Sequence, residues 1–171
     1  MMTSRRSAVF IVAAAFAAAW LAPLLPARAG PAFERLLPFL VDLDGWRGGK
    51  PDGESTALGD DSMSSATREY RRGDDEVRLT VLVGAAARSA LGPIAFGVNL
   101  KTADGYALST TVAGFKAVKT HNDKKNSGGV LIALDERTVF SLSYQGVGED
   151  EALALTQKFD LGGIAAAASA K

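Results

Sequence analysis

The feature that most restricts this chain is a series of alternating apolar runs joined by connections too short to cross a sheet. Glu76 to Val83 puts Val77, Leu79, Val81 and Val83 on one side, and Gly73-Asp74-Asp75 joins it to a looser alternation from Ser64 to Arg71. Asp104-Gly105 opens a run carrying Tyr106, Leu108, Thr110 and Val112. Gly114 breaks that run, and Phe115, Ala117 and Lys119 share one side of the next. His121 to Gly129 (HNDKKNSGG) reads as a polar turn before a buried strand from Val130 to Leu134. Asp135-Glu136 turns the chain into a last strand, Arg137 to Tyr144, carrying Val139, Phe140 and Leu142. Short connections demand antiparallel neighbours, because a parallel pair needs a crossover of a dozen or more residues. The expectation is an antiparallel sheet of about six strands.

Helical spacing appears around that sheet. Phe33, Leu36, Leu37 and Leu40 fall on one stripe, with Pro38 interrupting it. Gly92-Pro93 divides the Ala-rich stretch 85–100, so a helix is expected from about Pro93 to Leu100 after a turn or short helix at 85–90. Ala152, Leu155 and Phe159 mark a helix over about 150–161. The segment 42–62, dense in Gly, Asp, Pro and Ser, reads as a long loop around Trp46, with at most a short extended piece. Residues 165–171 read as a flexible Ala-rich tail. The fold class is α+β, one globular domain over 30–164 with helices covering the sheet.

The first 29 residues read as an export signal. Arg5 and Arg6 precede an uncharged apolar run from Ala8 to Leu25, and Pro26-Ala27-Arg28-Ala29 places small residues for cleavage between Ala29 and Gly30. Ser4-Arg5-Arg6-Ser7 also fits the twin-arginine pattern, leaving the Sec and Tat routes both open. The other reading of 8–25 is an uncleaved membrane tether, although alanine dominates the run. The expected location is periplasmic or secreted, with membrane contact during export alone. Cleavage removes Arg5, Arg6 and Arg28 and no acid, leaving three acidic side chains in excess.

Composition narrows the chemistry. The 19 basic and 19 acidic residues of the whole chain cancel, which argues against a nucleic-acid partner. Without cysteine there is no disulfide, thiolate metal site or lipid attachment point. The one histidine, His121, lies beside Asp123 and is read as decorating an exposed turn; its other reading is the general base of an exported hydrolase. Asp42, Asp44, Asp52, Glu54, Asp60 and Asp61 surround Trp46 but lack the later glutamate of an EF-hand loop, so no metal is expected. Neither Gly84 to Leu91 nor Gly146-Val147-Gly148 has nucleotide-loop spacing, and no cofactor is expected. Trp46 reads either as a plug closing the core or as an exposed recognition side chain. Arg68, Arg71, Arg72 and Arg78 on the first hairpin are nearly cancelled by Glu69, Asp74, Asp75 and Glu76.

Arg68-Glu69-Tyr70 ahead of a Gly-turn hairpin, Gly114-Phe115-Lys116 before a polar turn, and Arg137-Thr138-Val139-Phe140 before a glycine loop and terminal helix form an order of elements over about Leu37 to Ile164. That order resembles exported bacterial domains with the fold of PsbP and the mycobacterial LpqN-type lipoproteins. The resemblance implies an α/β/α sandwich on an antiparallel sheet and a non-enzymatic binding or accessory role. It supplies no ligand residue, and the lipidated cysteine of the lipoprotein members is missing. The expected function is an exported accessory or binding protein without catalytic activity. Its expected partner is a protein or small ligand of the cell envelope, met by a surface of Trp46, Arg68 and Tyr70.

Overall fold

The computed structural model describes residues 32–58 and 61–170. The expected export signal, its cleavage point at Ala29 and Gly30, and the segment 8–25 lie outside the described residues. Among the described residues no helix is long and apolar enough to cross a membrane.

The chain is α+β, and the described residues form four α-helices and nine strands in one antiparallel sheet. The strands are β1 (Arg47–Gly48), β2 (Asp52–Leu58), β3 (Asp61–Arg72), β4 (Asp75–Gly84), β5 (Asn99–Thr102), β6 (Gly105–Val112), β7 (Phe115–Asn122), β8 (Ser127–Asp135) and β9 (Thr138–Gln145). Their order is β1-β3-β4-β9-β8-β7-β6-β5, with β2 also on the outer edge of β3. Strands β5 to β9 form a meander, and β9 then pairs with β4.

Helix α1 (Ala32–Leu36) continues into a 3-10 turn at Leu37–Phe39; α2 is Ala85–Phe96, α3 Glu149–Thr156 and α4 Leu161–Ser169. Strand alternation divides the sheet into two faces. Val77, Leu79 and Val81 of β4 and Phe140, Leu142 and Tyr144 of β9 point into the main core. There they meet Leu36 and Leu40, Ala152 and Leu155 of α3, and Leu161 and Ile164 of α4. Helix α2 lies on the other face, against β3, β4, β7, β8 and β9. Its buried Ala87 and Ile94 belong, with Val118 and Val139, to a thinner apolar layer outside the main cluster. The switch of face occurs at Gly84, whose φ of +77° and 2.0 Å approach of a Cβ to the Ser62 carbonyl admit no side chain.

Several expectations need correction. The segment read as a long loop holds β1 and β2, recruited by the free edge of the twelve-residue β3. Asn99–Thr102, placed at a helix end, is β5, and with β1 and β2 it raises the count from about six to nine. Helix α2 runs unbroken through Pro93. Proline frees the carbonyl of Ser89, and both residues face water, which satisfies that carbonyl. The helix expected over 150–161 ends at Thr156. Residues 165–169, read as flexible tail, form the second half of α4, capped by Asp160 accepting from the Gly163 amide at 2.8 Å.

Candidate functional site

Trp46, Arg68 and Tyr70 do come together, but as a seam and not as a contact surface. Tyr70 is fully buried, and its hydroxyl donates to the Val41 carbonyl at 2.8 Å. The Arg68 side chain is 10% exposed; it donates to Leu40 O at 2.5 Å and Gly49 O at 2.8 Å, and pairs with Asp42. These bonds fasten 40–49 onto β3. Trp46 is the plug of its two readings, 8% exposed, with the Arg72 guanidinium 4.4 Å from its ring centroid. Arg72 in turn pairs with Asp75 at 2.9 Å and Glu151 of α3 at 2.5 Å, closing that end of the core. The expected surface is corrected accordingly: Tyr70 and Trp46 are buried, and the polar atoms of Arg68 and Tyr70 are spent inside the chain.

His121 also changes place. It lies on β7, not in a turn, and its side chain is 14% exposed. Its ring sits between those of Tyr106 and Tyr144, each 6.0 Å away by centroids. Nδ1 meets the Tyr144 hydroxyl at 3.0 Å and Nε2 lies 3.6 Å from Asp123. Gly128 makes this possible, because a Cβ there would stand 2.4 Å from the Tyr144 hydroxyl oxygen. Beside it, Glu149 at the start of α3 takes Lys119 Nζ at 2.5 Å and the Tyr106 hydroxyl. Burial and the neighbouring Asp150 push the Glu149 carboxyl above its ordinary range, and burial also raises the Tyr144 phenol. The hydroxyl that meets His121 is thus a phenol held protonated. The cluster docks α3 onto β6 and β7.

Asp52 accepts from the Gly53 amide at 2.8 Å. Arg71 pairs with Glu76 at 3.0 Å, and Arg78 with Glu69. Asp60 lies outside the described residues. Among those described, no three His, Asp or Glu side chains converge as a metal site.

Two hollows lie on the α2 face, a feature that sequence reasoning missed. A groove of about 410 Å³ runs beneath the C-terminal half of α2, lined by Pro93, Val98, Ala107, Val118 and Leu131, with Thr120, Gly129 and Ser141 along its margin. A second hollow of about 300 Å³ lies on the same face, edged by Glu69, Arg71, Glu76, Arg78, Ser143 and Gln145. Register joins them. Leu100, Ala107, Thr120, Gly129, Ser143, Arg78 and Glu69 are successive cross-strand partners in one row over β5, β6, β7, β8, β9, β4 and β3. The row is a shelf, apolar at one end and charged at the other. Gly129 and Ser143 keep its middle low. Phe96, 94% exposed, and Leu100, 56% exposed, stand at the apolar end.

Comparison with protein-family models, curated proteins and solved structures found no match for this chain.

Proposed function

We propose that this chain is an exported accessory or binding protein of PsbP-like sandwich fold, without catalytic activity, that works through the shelf on its α2 face. The observation that carries this reading is the contrast in exposure. On the main-core face, polar side chains are paired with one another, whereas the α2 face leaves an apolar groove continuous with a charged hollow. A concave apolar surface with a few polar groups at its margin is the ordinary form of a binding site. Helices on both sides of an antiparallel sheet support the PsbP-like reading, and the Arg5-Arg6 head with its apolar run supports export.

The test is expression from the full-length sequence in a bacterial host, with mass spectrometry of the extracytoplasmic fraction. The expected product is soluble, begins at Gly30 and carries a co-purifying molecule that an Ala107→Trp variant loses. A full-length product held in the membrane contradicts the export reading. A hydrolytic turnover abolished by His121→Ala contradicts the non-catalytic one.

A further inference from the structure

The geometry points to a straight-chain acyl carboxylate as the molecule that occupies the shelf, an inference that rests on the binding role proposed above. The chain would lie in the groove over Val98, Ala107, Val118 and Leu131, and the carboxylate would meet Arg78.

Three observations select this class. The first is length. Ala107 and Arg78 are four strand positions apart in the row, which at the usual spacing is about 19 Å. Allowing for the reach of the arginine side chain, that span suits a chain of about twelve carbons. The second is width. Between those ends the row presents Thr120, Gly129 and Ser143, a floor of small side chains that passes a slender chain along the sheet. The third is charge. Arg78 is 60% exposed and spends Nε and one Nη on Glu69, while its other terminal nitrogen donates to no group among the described residues. An exposed ion pair of this kind contributes little and yields readily, and a guanidinium presents a fork that fits a carboxylate. Glu69 and Glu76 balance Arg78 and Arg71, so the cluster holds no excess positive charge that would favour a dianionic head group over a singly charged one.

The experiment is a titration of the exported product with dodecanoate, dodecanol and dodecyl phosphate, read by displacement of a fluorescent apolar probe. Dodecanoate should bind at least tenfold more tightly than dodecanol, and more tightly than the doubly charged phosphate. Arg78→Gln should remove that preference while dodecanol is unaffected. Ala107→Trp should abolish binding of all three, with an unchanged circular-dichroism spectrum showing that the fold persists. Equal affinity for dodecanoate and dodecanol, or a preference that survives Arg78→Gln, overturns the inference. So does failure of all three to bind. In either case the broader binding role is judged separately, by whether Ala107→Trp still strips the native co-purifying molecule.

Discussion

The two faces of the sheet use similar residues to opposite ends. On the main-core face, Tyr70, Arg68, His121 and Tyr144 direct their polar atoms to carbonyls, carboxylates and one another, and three helices cover them. On the α2 face one helix covers part of the sheet, and the next row outward stays bare. Polar side chains gathered in one place therefore do not by themselves mark an open surface here. A tryptophan, an arginine and a tyrosine close together proved to be fastening, and a row of threonine, glycine and serine proved to be the open surface.

Substitutions can sharpen or break that contrast. The largest effect is expected from Phe140→Ala, which empties the centre of the main core and should cost about 3–5 kcal/mol in urea denaturation. Next comes Arg68→Met, which orphans the Leu40 and Gly49 carbonyls and frees 40–49 from β3. It should cost about 2–3 kcal/mol and speed proteolysis near Gly49. If Arg68→Met is neutral in stability, the seam is not what holds that segment. Ala107→Trp, on the other face, should cost less than about 1 kcal/mol, since the groove already holds space for the ring. A loss of several kcal/mol would mean that the groove is closed in solution.

Tyr70→Phe should cost about 1 kcal/mol at neutral pH, for one lost hydrogen bond. Its pH dependence is more telling. Burial pushes the Tyr70 phenol up from 10.0 to about 12, so in that window the unfolded chain releases a proton that the folded chain keeps. Its contribution is fully present below pH 10 and is lost as pH rises toward 12. Tyr70→Phe should flatten that part of the stability profile. An unchanged slope would place the phenol in contact with water.

Legibility in the sequence followed apolar alternation. Strands β4, β6, β8 and β9 announce themselves because their large apolar side chains alternate onto one face. Strand β2, DGESTAL, carries no such pattern; pairing with a long neighbour, and not burial of its own side chains, makes it a strand. His121 was misplaced because its polar neighbours look like a turn, yet it continues the parity of Ala117 and Lys119, and that signal was available. The shelf was illegible for a different reason. It is defined by which residues of seven strands stand side by side, and that depends on β9 pairing with β4, a contact no local pattern specifies.

The most direct test is a two-dimensional amide NMR titration of the protein with dodecanoate. Shifts confined to Ala107, Thr120, Gly129, Ser143 and Arg78, with Arg47, Arg68 and Tyr70 unmoved, are the predicted result. Shifts centred on the Trp46 seam or on His121 would contradict it.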